Sequence, residues 1–234
     1  MNRWAPHSVC SGLVELPEHR DVLKREFLSW LNRNQRAVEA PIVRALDAVY
    51  DIATGAYDSV GPAQLEALKL GLELPYLVSY PLAGYVLELA AEHEELGALV
   101  LQLAKHPLAK VRRNAMTICL HDGPEDMIRT MLLGGLQDRS RPVRLKAADV
   151  IFRTRRLGLT EHVRLAAERE PQPEAARELL WMARLMENGW VRGLDGRVTA
   201  YVAGGVAGVL TEPGDTDADI ERKVAAERAR FEQG

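Results

Sequence analysis

The stretches KVRRNAMTICL (Lys110 to Leu120) and PVRLKAADVIF (Pro142 to Phe152) decide how this chain folds. Aligned from His106 and Asp138, they repeat at 32 residues, matching Val111 with Val143, Arg112 with Arg144, Ala115 with Ala147 and Ile118 with Val150. Each copy has apolar residues at helical spacing and is preceded by a second amphipathic run, ELGALVLQLAK before the first and EDMIRTMLLGGLQ before the second. A third copy, TEHVRLAAERE followed by PEAARELLWMARLM, keeps the two-helix form but carries Ala175 and Ala176 in place of Val-Arg. A helix pair cannot cover its own apolar stripe, so pairs recurring at a fixed spacing predict stacking on one another.

Working outward, helix periodicity is nearly continuous from about Arg20 to Asn188, with breaks at proline, glycine and acidic loops. It predicts helices over Asp21–Asn32, Pro41–Thr54, Pro62–Leu72, Tyr76–His93, Glu95–His106, Ala109–Leu120, Glu125–Gln137, Pro142–Arg155, Thr160–Glu168 and Glu174–Met186. Pro81 is expected to end or bend the fourth of these. After Asn188 the pattern becomes strand-like. WVRGLDGRVTAYVA centres on Asp195-Gly196 and predicts a hairpin with Leu194 opposite Arg197, Arg192 opposite Thr199 and Trp190 opposite Tyr201. GGVAGVL can add a third strand, and Thr216 with Asp219 opens a last polar helix over Asp217–Glu232.

The 234 residues are 47% apolar, enough to bury a core, and carry a net charge of −3. That total hides an uneven distribution: −6 over residues 1–104, +7 over 105–169 and −4 over 170–234. A basic middle of this kind suits an acidic partner or is balanced by acidic neighbouring helices. No apolar run approaches the length of about 20 residues that a membrane span needs, and the first residues lack the pattern of a secretory signal. The two cysteines, Cys10 and Cys119, are read as thiols of a reducing, cytoplasmic setting. The histidines are scattered without ligand spacing, His93-Glu94 being a single dipeptide, so neither a metal nor another cofactor is expected.

The Val-Arg pair, the polar loop before it and the Ala-rich second helix resemble the HEAT-like repeat family, and the 32-residue period is similar to its compact bacterial members. The resemblance covers residues 95–188 best. It implies an all-α fold, a right-handed α-solenoid of HEAT-like helix pairs, here with an irregular N-terminal portion (1–94) and a small C-terminal β-hairpin plus helix (189–234) read as a cap. It also implies a binding role, with the second helices lining a concave face. On those helices Lys146, Asp149, Arg153 and Arg156 share one side, and their counterparts are Asn114, Thr117 and His121 one repeat earlier and Glu178 and Trp181 one repeat later. This set is the predicted partner surface. Two cations beside an acid and an indole suit an acidic or phosphorylated protein, as an adaptor, regulatory or immunity-type inhibitor would require. Arg112 and Arg144 are assigned to the scaffold instead. The competing expectation is a HEAT-like DNA glycosylase acting on alkylated bases through Asp149, Trp181 and Arg184, although the tryptophan-rich segment around that family's acid is absent and the net charge is unsuited to wrapping DNA.

Overall fold

The computed structural model describes Ser29 and residues 40–56, 59–74, 76–193, 195–202, 205–212 and 214–232. Cys10, Pro75, Leu194 and, Ser29 apart, the helix expected over 21–32 lie outside the described residues. What is described is mostly helical, with a small three-stranded antiparallel sheet. The chain groups into two compact units, Met1–Ala147 and Ala148–Gly234.

The first unit holds α1 (Ala40–Ala53), α2 (Pro62–Leu72), α3 (Tyr76–Leu89), α4 (Glu94–Ala104), α5 (Ala109–Ile118), α6 (Glu125–Leu136) and the first half of α7 (Arg141–Arg153). Starts and stops follow local chemistry. Pro62 opens α2, where its missing N–H costs nothing, and Glu94 with Glu95, then Glu125 with Asp126, set acids against the positive helix ends of α4 and α6. The buried stripe of α4, Leu96, Leu99, Val100 and Leu103, keeps the three-and-four spacing that a helix presents to one neighbour. Helix α3 continues across Pro81: one backbone bond is forfeited, while Leu82, Ala83, Val86 and Leu87 on the following turns are fully buried.

Helix α2 packs on α4 and α4 on α6, while α3 packs on α5, and α4 and α5 touch each other. Second helices begin at residues 76, 109, 141 and 173. The period read from residues 106–152 therefore extends back into the N-terminal portion.

The loops repeat as well. In three loops a side chain accepts a hydrogen bond from the backbone N–H two residues on: Leu108 to His106 Nδ1 at 3.1 Å, Ser140 to Asp138 Oδ1 at 2.7 Å and Gln172 to Glu170 Oε1 at 3.3 Å. In the first two, the arginine six residues later bonds the carbonyl of that same residue, Arg112 to His106 O and Arg144 to Asp138 O, both at 2.8 Å. The repeated Val-Arg signature is thus a loop clamp, and Val111 and Val143 beside it are buried.

The second unit holds the rest of α7, a 3₁₀ turn (Leu157–Leu159), α8 (Thr160–Arg169), α9 (Pro173–Asn188), β1 (Trp190–Arg192), β2 (Val198–Val202), β3 (Gly205–Val209) and α10 (Asp217–Glu232). Helix α7 ends with Arg156 N–H on Ile151 O and Arg155 N–H on Phe152 O, a motif that needs a left-handed residue between helix and exit. Arg155 supplies it at φ 51°, where glycine is the usual choice. Helix α10 opens as expected, with Thr216 N–H on Asp219 Oδ2 at 2.9 Å and Asp219 N–H on Thr216 Oγ1 at 3.3 Å. Its Ile220 and Val224 pack on Val198, Ala200 and Val209 of the sheet.

The strands form where expected, but the hairpin register differs by one residue. Trp190 lies opposite Ala200 and Arg192 opposite Val198, so Trp190 and Tyr201 do not pair. The cause is the turn. Gly196 N–H closes on Gly193 O at 3.0 Å with Gly196 at φ 78°, and Gly193 N–H bonds Arg197 O at 2.7 Å. This is the three-residue loop with a left-handed glycine at its end rather than the two-residue turn that Asp-Gly suggests, and the extra residue shifts the register.

Candidate partner-binding surface

The predicted surface residues occupy three different environments. On α5, Asn114 donates through Nδ2 to the Leu74 carbonyl at 3.0 Å. Thr117 is buried and its hydroxyl bonds Asn114 O, and His121, just past the helix, is also buried, its ring against Gly84 of α3. The side of α5 that the repeat spacing offered to a partner is therefore taken up within the fold, by the Leu74 carbonyl at Asn114, by burial at Thr117 and by α3 at His121.

On α7 the side chains reach further out. Lys146 is half-buried, and Asp149 accepts Arg153 Nε at 2.7 Å, with the Arg153 side chain 66% exposed. Arg156 is half-buried and Glu178 on α9 is exposed. Trp181 is half-buried, its ring 5.7 Å from that of Phe152. The indole thus belongs to a packed cluster. Phe152 stacks on Tyr201 at 5.0 Å, the Arg155 guanidinium lies 5.0 Å from the centre of the Tyr201 ring, and Tyr201 donates its hydroxyl to Phe152 O at 2.8 Å. Burial pushes the Tyr201 phenol up to about 12, against a smaller opposing effect of Arg155. Arg228 of α10 adds bonds to Tyr201 O at 2.9 Å and Gly189 O at 3.0 Å. The sheet is tied to α7 and α9 by these contacts.

Two features escape a reading of helix faces. One is the setting of Arg112, 5% exposed, whose Nε and Nη2 grip Asp138 Oδ2 and Oδ1 at 2.7 and 2.9 Å while Nη1 holds the carbonyls of His106 and Pro107 at 2.8 and 2.9 Å. Burial opposes the charge on Asp138, but hydrogen bonds from Arg112 and from Ser140 N–H outweigh it and hold the carboxyl below its usual range. The hydrogen bond to Asp138 correspondingly raises the Arg112 guanidinium. Two consecutive loops are thereby locked together. The other feature is what those loops display. Lys105, Lys110, Arg113 and Arg139 are exposed, and among the described residues none has a carboxylate within ion-pair distance. They flank one loop, since Arg139 Nη2 lies 3.3 Å from Pro107 O, and next to Pro107 stands Leu108, 62% exposed. The signal available in the sequence was the loop position itself, where bases fall on either side of His106 and just after Asp138.

Among the described residues no group of three or more metal-type side chains converges, and no helix is long and apolar enough to cross a membrane. Comparison with protein-family models, curated proteins and solved structures returns no match.

Proposed function

We propose that this chain is a non-catalytic binding protein, an adaptor, regulatory or immunity-type inhibitor protein of the cytoplasm, built as a HEAT-like α-solenoid that takes up an acidic or phosphorylated surface of another protein. The observation that carries the reading is the set of exposed cations Lys105, Lys110, Arg113 and Arg139, none with a carboxylate at ion-pair distance among the described residues, together with the exposed Leu108 of the same loop region. Burying such a set needs counter-charge from outside, and an exposed apolar residue in the same loop offers the dry contact that protein interfaces favour over nucleic acid. The clamp of Arg112 on Asp138 holds both loops in place before binding, which lowers the ordering cost. Of the other residues predicted to meet a partner, Arg153 and Glu178 are exposed and Lys146 is half-buried. The regular spacing of helix starts and the repeated loop bonds support the solenoid reading. The pairing of Asp149 with Arg153 speaks against its use as the acid of a glycosylase.

The test is affinity capture from the native lysate with the full chain and two charge-reversed variants, Lys110→Glu/Arg113→Glu and Lys146→Glu/Arg153→Glu. The first is expected to lose the captured protein with helical content unchanged, and the second to weaken it. Capture that survives both reversals would place the surface elsewhere. Salt-dependent retention of duplex DNA by the native chain would instead favour the glycosylase reading.

A further inference from the structure

Strand β3 lies at the edge of the sheet, and among the described residues it pairs only with β2. The direction of its backbone groups follows from β2. Tyr201 donates its N–H to the Gly189 carbonyl at 2.9 Å, on the β1 side, so the groups of Ala200, one residue away, point toward β3. Ala200 is opposite Ala207. Ala207 therefore spends its N–H and C=O on β2, whereas Val206, Gly208 and, continuing the alternation, Leu210 turn theirs to the side away from β2, which no described strand occupies. The side chains of Val206 and Leu210 share one face of the strand, with Gly208 between them on that face. Val206 is 45% exposed, Leu210 is 94% exposed, and a Cβ placed on Gly208 would meet no atom within 4 Å. From Gly204 to Thr211 the chain carries neither charge nor proline, the devices with which edge strands repel one another.

We propose that β3 pairs antiparallel with β3 of a second copy of this chain, about a two-fold axis at Gly208. The register places Val206 opposite Leu210 of the other copy, Gly208 opposite its own equivalent, and Leu210 opposite Val206. All of these are positions whose N–H and C=O face outward, so each pair exchanges both hydrogen bonds. The pairing also sets the two exposed aliphatic side chains against each other on the same face, on both sides of a centre that has no side chain to collide. A second copy is the favoured occupant because this match is self-complementary, while an uncharged strand offers a charged foreign segment nothing to read. The contact closes on itself, since the edge that makes it is consumed by it, so the product is a dimer and not a fibre. A single strand pair buries less than the roughly 1,000 Å² of a firm interface, so association is concentration-dependent.

Sedimentation of the full chain across the micromolar range tests this, with a weight-average mass rising from 26.0 kDa toward twice that value. Gly208→Pro removes the central outward N–H without touching the β2 ladder, and Val206→Lys/Leu210→Lys puts charge on both sides of the axis; each is expected to stay monomeric with native circular dichroism. Amide exchange supplies a reading inside the folded protein. The amides of Val206, Gly208 and Leu210 slow as concentration rises, while Ala207, bonded to β2, is protected throughout. A chain that stays at 26.0 kDa at every concentration overturns the proposal, whether or not it captures an unrelated extended peptide. So does a dimer that survives both substitutions, a dimer in which the three amides exchange freely, or open-ended polymerisation.

Discussion

Asp138→Ala removes the acid from a buried fork, and its cost can be worked from the bonds. Arg112 loses the partners of Nε and Nη2 but keeps two carbonyls on Nη1 at 2.8 and 2.9 Å. Removing one partner of a buried ion pair costs about 3–5 kcal/mol, and the surviving carbonyl bonds place this case near 3 kcal/mol. The Ser140 N–H, which ends the loop before α7, also loses its acceptor, adding about 0.5–1 kcal/mol. Arg112→Met is expected to be milder, near 2 kcal/mol, because Asp138 keeps the Ser140 N–H and its side chain retains 11% exposure. The double variant should cost less than the two single losses together, by about 1–3 kcal/mol. Urea titration followed by circular dichroism at neutral pH reads all three, with a midpoint shift of about 1–2 M for Asp138→Ala at ordinary slopes. The pH dependence has a defined sign. The folded carboxyl titrates below its unfolded value, so its stabilisation is complete above about pH 4 and fades as pH falls through the lower folded value. Asp138→Asn should remove that part of the acid slope. A loss below about 1 kcal/mol, typical of surface pairs, together with an unchanged acid slope, would refute the clamp.

The adjacent glycines of α6 make a paired prediction. A Cβ on Gly135 would fall 2.8 Å from Ala147 Cβ and also on Met116, whereas one on Gly134 meets nothing within 4 Å. Gly135→Ala should cost about 1–3 kcal/mol and Gly134→Ala should stabilise by about 0.5–1 kcal/mol, both read by thermal unfolding. At Arg155, alanine and glycine both forfeit the contact with Tyr201, but only glycine relieves the φ of 51°. Arg155→Ala is therefore expected to be about 1 kcal/mol less stable than Arg155→Gly. Of the six tyrosines, Tyr201 should ionise near pH 12 by ultraviolet titration, and its stabilisation, complete below about pH 10, should fade as pH rises toward 12; Tyr201→Phe removes both effects.

Helix pairs were legible from local chemistry alone. The Pro62–Leu72 and Asp217–Glu232 spans match residue for residue, because Pro62 at a first turn and the Thr216–Asp219 box act on their own neighbourhoods. The 32-residue spacing and the scaffold role of Arg112 were legible too, since the loop bond made by Arg112 recurs at Arg144 and writes the same residue at both places. Three things were decided only by the tertiary structure. Asn114, Thr117 and His121 stand on the stripe equivalent to that of Lys146, Asp149 and Arg153, yet Asn114 is bonded to Leu74 O and the other two are buried, and sequence spacing gives a direction around a helix without saying what occupies it. The hairpin register turned on one extra loop residue at Gly193–Gly196, a difference that Asp-Gly permits either way. The Trp181, Phe152, Arg155 and Tyr201 cluster joins residues up to 49 positions apart, for which no local pattern exists, because only packing chooses between distant partners that are each chemically acceptable.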